Sequence, residues 1–128
     1  MHKTFLAVAG LLGALSVTLG AFGSHGLKGK VSEDVLNIFE TAVKYQFYHV
    51  FALLAVSILF QSFGSGMLLW SGRLFIAGTT LFCGSLYLLT FFRASNNTSM
   101  NWLGAITPIG GLCFIAGWLL LVFAVLKK

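Results

Sequence analysis

Charge is scarce in this sequence, with eight basic and three acidic residues among 128, or 9%. A soluble domain carries about a quarter charged residues, so a water-soluble globular protein is excluded. There is one proline, which argues against a disordered or collagen-like chain, and only two cysteines, Cys83 and Cys113, too few for a disulfide scaffold. What fills the chain is apolar: 58% hydrophobic residues, 13 of them phenylalanine, punctuated by 15 glycines.

The charges divide the chain. None falls between residues 4 and 23, 45 and 72, 74 and 92, or 94 and 126, while six cluster between Lys28 and Lys44. A bilayer core about 30 Å thick needs roughly 20 helical residues to cross. Four spans are therefore expected, at 4–23, 45–64, 73–93 and 102–126. Arg73 and Arg93 stand about 30 Å apart on a helix, which places one guanidinium at each interface as an anchor. The opening residues, His2 and Lys3 before an apolar run ending at Ala21-Phe22-Gly23, also have the form of a signal peptide. The run exceeds a usual signal core, and it is expected to remain as a span.

The stretch 32–44 is of another kind. Ser32 suits an N-cap, Glu33 and Asp34 suit a first helical turn, and Glu40 and Lys44 form a favourable i,i+4 pair. Leu36, Phe39, Val43 and Phe47 recur on the opposite, apolar face. This predicts an amphipathic interfacial helix leading into the second span. The fold class is thus all-α, an integral membrane four-helix bundle forming one domain over 1–128. Lys3, Arg73, Lys127 and Lys128 on the terminal side balance Lys28, Lys30, Lys44 and Arg93 on the other. Because all three acids lie in the first loop, net charge favours both termini on the cytoplasmic side.

Small residues should set the helix packing, since apolar surface gains nothing by leaving lipid for another helix. Gly13, Ser16 and Gly20 share one side of the first span, Ala77, Thr80, Gly84 and Tyr87 one face of the third, and Gly104, Gly111 and Gly117 recur along the fourth. Cys83 and Cys113 have no metal-ligand spacing and read as small packing residues. Pro108 frees the carbonyl of Gly104 and, with Gly110 and Gly111, is expected to kink the fourth span.

Polar groups at membrane depth are costly and so carry the most information. Tyr45 and His49 share a helix face, Gln46 lies about 100° round from Tyr45 on the same helix, and Glu40 sits roughly opposite His49. Glycine-permitted turns at Gly23, Gly26 and Gly29 would fold His25 back toward that cluster. Tyr87 and Thr107 are the expected partners from the other helices.

Four runs in order, Gly20-Ala-Phe-Gly-Ser-His-Gly-Leu27, Tyr45-Gln-Phe-Tyr-His49, Phe82-Cys-Gly-Ser-Leu-Tyr87, and Thr107-Pro-Ile-Gly-Gly111 with Ala116-Gly-Trp118, resemble a bacterial inner-membrane family. It is the domain of unknown function 423 family, which includes YgdD-like proteins and has transmembrane protein 256 as an animal relative. The resemblance implies a compact four-helix protein of the plasma membrane with no established activity. It retains His25, Tyr45, Gln46, His49 and Tyr87 as candidate site residues. The family more often has Ala where this chain has Ser24, which weakens any role for that hydroxyl.

Two readings of the cluster follow. In one it is structural, tying the first loop to the helices in a small accessory membrane protein whose partners are lipids, a second copy or another membrane protein. In the other it binds or transports a small molecule, lipid, metal or proton. Two histidines without a third ligand make a poor zinc site, and no carboxylate lies within the spans, so no metal and no cofactor is expected. Phosphate-binding glycine loops, HExxH and paired intramembrane carboxylates are absent, and Ser24 and His25, adjacent in sequence, point apart. No enzyme activity is expected. The basic balance suits anionic lipid, not nucleic acid. The sequon-like run Asn96-Asn97-Thr98-Ser99 would matter only in a eukaryotic lumen.

Overall fold

The computed structural model describes residues 1–64 and 66–127. Regular structure among the described residues is entirely helical: α1 (Lys3–Phe22), α2 (Glu33–Phe63), α3 (Gly66–Gly78), α4 (Gly84–Ala94) and α5 (Thr107–Lys127). π-helical turns at Gly23–Leu27 and Thr79–Cys83 and a 3₁₀ turn at Asn101–Ala105 extend or join them. Four continuous spans result, Lys3–Leu27, Glu33–Phe63, Gly66–Ala94 and Asn101–Lys127, each long and apolar enough to cross a membrane.

The helix ends follow local chemistry. Ser32 Oγ accepts from the Val35 N–H at 3.3 Å, with Glu33 and Asp34 in the first turn of α2 where the helix dipole favours anions. His2 caps α1, its Nδ1 accepting from the Phe5 N–H at 3.2 Å. Gly29 takes φ 83° in the first connection and Asn96 takes φ 58° in the last, the left-handed conformation that those two residue types tolerate best. The interfacial stretch and the second span form one unbroken helix. Helical structure also starts earlier than the charge-free third run, at Gly66, because lack of charge marks where lipid can begin rather than where a helix must. Arg73 consequently lies within a helix, exposed, with its guanidinium 5.0 Å from the centre of the Trp70 ring.

The centre of the bundle is α2 with the third span. The first span rests on α2, and α5 lies mainly against α3 with a further contact to α2. The outer faces are apolar, with Leu11, Leu15 and Val17 exposed on α1 and Leu112, Ile115, Leu119, Val122 and Phe123 exposed on α5. Such faces suit lipid, where backbone groups are satisfied inside each helix.

Glycines are the sockets of the interhelical contacts. A methyl group on Gly72 would enter the Phe5 ring, one on Gly78 the Phe114 ring, and one on Gly110 the backbone of Phe82. On Gly117 it would lie 2.8 Å from the Phe75 ring. The rings of Phe5, Phe114 and Phe75 each fill the notch of a glycine on a neighbouring helix, and at Gly110 the Phe82 backbone itself does so, so backbones approach closely. In the first span the expected stripe does pack, with Gly13 facing Val50, Gly20 facing Val43 and Ser16 fully buried. The other two stripes pack only in part. Thr80, Gly84 and Tyr87 line an open cavity of about 500 Å³ and a methyl on Gly84 or Gly104 would meet nothing within 4 Å, whereas Gly117 does pack as expected, joined by Gly72, Gly78 and Gly110 from outside the stripes.

Pro108 is corrected too. It falls in the first turn of α5, which begins at Thr107 and runs unbroken past Gly110 and Gly111. At that position its missing N–H would lack an intrahelical partner in any case, so it starts the helix instead of kinking it.

Gly110→Ala should destabilise the bundle by about 1–3 kcal/mol, the range for overpacking a tight contact. Gly111→Ala one residue on, whose methyl would sit 3.9 Å from the Phe82 ring, should be neutral or slightly stabilising. Reversible unfolding of both variants in detergent measures the contrast, and equal effects would refute the socket assignment.

Candidate functional site

The polar residues expected to converge do so only in part, and they form two adjacent knots along α2. The first centres on Gln46, which is 2% exposed. Its Nε2 donates to the Leu12 carbonyl of α1 at 3.0 Å, and its Oε1 accepts from the Tyr87 hydroxyl of α4 at 2.7 Å. The carbonyl can only accept, so it fixes the orientation of the amide and makes Tyr87 the donor. Ser16 adds a second bond to the same carbonyl at 2.7 Å. One glutamine thereby joins three helices.

The second knot centres on His49, 5% exposed, one turn further along α2. Its ring stacks on Phe114 of α5 with centroids 3.5 Å apart and planes 7° off parallel. The indole Nε1 of Trp118 lies 3.1 Å from His49 Nε2, and Nδ1 lies 2.7 Å from the Tyr45 carbonyl. An indole N–H only donates, so Nε2 is the acceptor and Nδ1 carries the proton. The imidazole is a neutral tautomer with both nitrogens engaged. A metal ion, haem iron or migrating proton would have to break one of these bonds to reach it.

Tyr45 contributes its carbonyl to this knot, while its half-exposed ring stacks on Phe82 at 4.6 Å. Thr107 joins neither knot. Ser85 donates to the Phe82 carbonyl at 2.9 Å, and Thr107 pairs with Ser85 at 2.6 Å, fastening the start of α5 to α4. His25 is also elsewhere. The first span continues through a π-helical turn over Gly23–Leu27 instead of folding back, which leaves His25 exposed outside the cluster. Of the three glycines expected to permit that fold, only Gly29 takes a positive φ.

Three fastenings were not foreseen. Ser57 Oγ donates to the His2 carbonyl at 2.8 Å while the His2 N–H donates to the Ser57 carbonyl at 3.0 Å. Ser71 Oγ donates to the Gly117 carbonyl at 2.7 Å. Trp118 closes the His49 knot. The signal for the serines was their depth within long apolar runs, and for Trp118 its place beside Gly117 in a family-like motif. Among the described residues no buried side-chain nitrogen or oxygen lacks a hydrogen-bond partner.

Comparison with known proteins now bears on the chain as a whole. Residues 19–111 match the family model described as "Protein of unknown function (DUF423)". The chain belongs to the DUF423 family. Tyr45, Gln46, His49, Phe82 and Tyr87 lie inside the matched region, whereas Leu12, Ser16, Phe114 and Trp118 lie beyond it. Among its relatives, the UPF0382 membrane protein SH2409 of Staphylococcus haemolyticus is 42% identical over 125 residues, 98% of this chain and 97% of that one. The UPF0382 membrane protein YwdK of Bacillus subtilis is 40% identical over 126 residues, 98% of each. No solved structure matches it. With four helices long and apolar enough to span a membrane and relatives of this kind, the chain is a bacterial membrane protein of a family described as of unknown function.

Gln46→Leu should cost about 1–3 kcal/mol by leaving the Tyr87 hydroxyl unpaired. Adding Tyr87→Phe should recover part of that loss, since both partners are then apolar. A double-mutant cycle in detergent checks the sign, and a further loss in the double variant would contradict the pairing. For His49, nitrogen NMR should find the proton on Nδ1 and an unprotonated Nε2. Detection of the opposite tautomer would displace Trp118 as the donor.

Proposed function

We propose that this protein is a small, non-catalytic accessory component of the bacterial plasma membrane, acting through its lipid-facing surfaces. Its polar cluster is structural. The observation that carries this reading is the closure of the Gln46 and His49 knots, in which each polar side-chain atom is already bonded to another helix or to its own backbone. A transport or ligand site instead keeps donors, acceptors or an ionisable group aimed into a passage.

The partners are membrane lipids together with a second copy or another membrane protein, presented with the broad apolar faces of α1 and α5. Both termini lie on the cytoplasmic side. Supporting that orientation, the basic residues divide four against four while all three acids belong to the other end, which leaves the terminal end with the larger net positive charge.

The test compares wild type with His49→Ala and Gln46→Leu, by native mass spectrometry from mild detergent and by thermal unfolding. His49→Ala should lower stability by about 2–5 kcal/mol, as for other large buried side chains truncated to alanine, with no change in small-molecule adducts. A discrete adduct held by wild type and lost from both folded variants would instead establish the knots as a binding site.

A further inference from the structure

Beyond the knots, the terminal end of the bundle holds two adjoining cavities of about 490 and 550 Å³, both bordered by Met67 and Lys127. Their walls differ in chemistry. The first lies between the end of α2 and the last turns of α5 and is bordered by Gln61 and by the backbone at Gly64. The second lies between the start of α3 and α5 and is bordered by Trp70 and Leu120. Phe63 and Ala124 also border the first, so a chamber of mixed polarity, the more polar of the two, continues into an apolar one, and the cation Lys127 stands at the junction.

Charge specifies the occupant further. No acidic side chain borders either cavity, and the three acids of the chain, Glu33, Asp34 and Glu40, lie at the opposite end of α2. Arg73, whose guanidinium lies over the Trp70 ring, is a further cation on α3, although it borders neither cavity. We propose that these chambers form a binding site for one anionic phospholipid. Its phosphodiester head occupies the more polar chamber against Lys127, and one acyl chain follows Met67, Trp70 and Leu120 out to the bilayer. A zwitterionic lipid of the same chains fits less well, because among the described residues its ammonium group meets Lys127 and no acidic side chain.

The test uses the full chain in mild detergent with equal amounts of dioleoyl phosphatidylglycerol and dioleoyl phosphatidylcholine, read by native mass spectrometry. Wild type should retain one phosphatidylglycerol in preference to phosphatidylcholine. Lys127→Gln should reduce that preference about fivefold, the factor expected for one cation near a lipid surface. Leu120→Trp, which narrows the apolar chamber, should lower retention of both lipids. Lys44→Gln, at the opposite end, should change nothing, and circular dichroism verifies that all three variants fold. Equal retention of the two lipids by wild type overturns the site. So does an unchanged preference in Lys127→Gln, an equal loss in Lys44→Gln, which would assign the effect to net charge, or undiminished retention in Leu120→Trp.

Discussion

Lipid offers helices no hydrophobic reason to associate, because an aliphatic side chain is as well solvated by acyl chains as by another helix. Shape and hydrogen bonding must do what burial from water does in soluble proteins. This bundle meets that constraint twice over. Phenylalanines from one helix enter the sockets of glycines on the next, as with Phe5 on Gly72, Phe114 on Gly78 and Phe75 on Gly117. At the same depth, side-chain donors reach carbonyls that are already serving their own helix, as Gln46 does at Leu12 and Ser71 at Gly117. Hydrogen bonds alone would hold the helices weakly, since in membranes they contribute only about 0.6 kcal/mol each on average.

The two devices are coupled at His49. Stacking on Phe114 requires α5 to come close, which Gly78 and Gly110 permit, and that approach brings Trp118 within reach of Nε2. The functional reading rests on the same coupling. A histidine held by a ring face on one side and by bonds at both nitrogens is a packing element with directional ends. The amphipathic cavities lie elsewhere, at the terminal end, where side chains retain access to the bilayer.

Much of this was legible because charge is so sparse. A run of residues without Lys, Arg, Asp or Glu has few explanations other than lipid, so the four spans followed from the positions of eleven side chains. Gln46, His49 and Tyr87 were legible for the same reason, as polar groups where such groups are expensive. Pro108 and His25 were not. Whether a proline kinks or starts a helix depends on where the first turn forms, which the 3₁₀ turn at Asn101–Ala105 decides. Whether a glycine-rich connection folds back or continues as a helix depends on what Gly23 packs against, and here that is Phe39 of α2. Serines escaped notice because a hydroxyl can always satisfy itself on its own helix. Its choice of a neighbour, as at Ser57 and Ser71, is a tertiary fact.

The π-helical turn at Thr79–Cys83 has a consequence for how such a gene can change. A π turn closes hydrogen bonds one residue later than an α-helix does, so it accommodates one amino acid more than the helix on either side requires. Deleting a single codon there would return the segment to ordinary α-helix while leaving α3 facing α5 and α4 facing α2. The same deletion a turn away in either direction would rotate every residue beyond it off its neighbour. The middle of the third span is thus the place in a tightly packed membrane helix where length can vary without loss of phase.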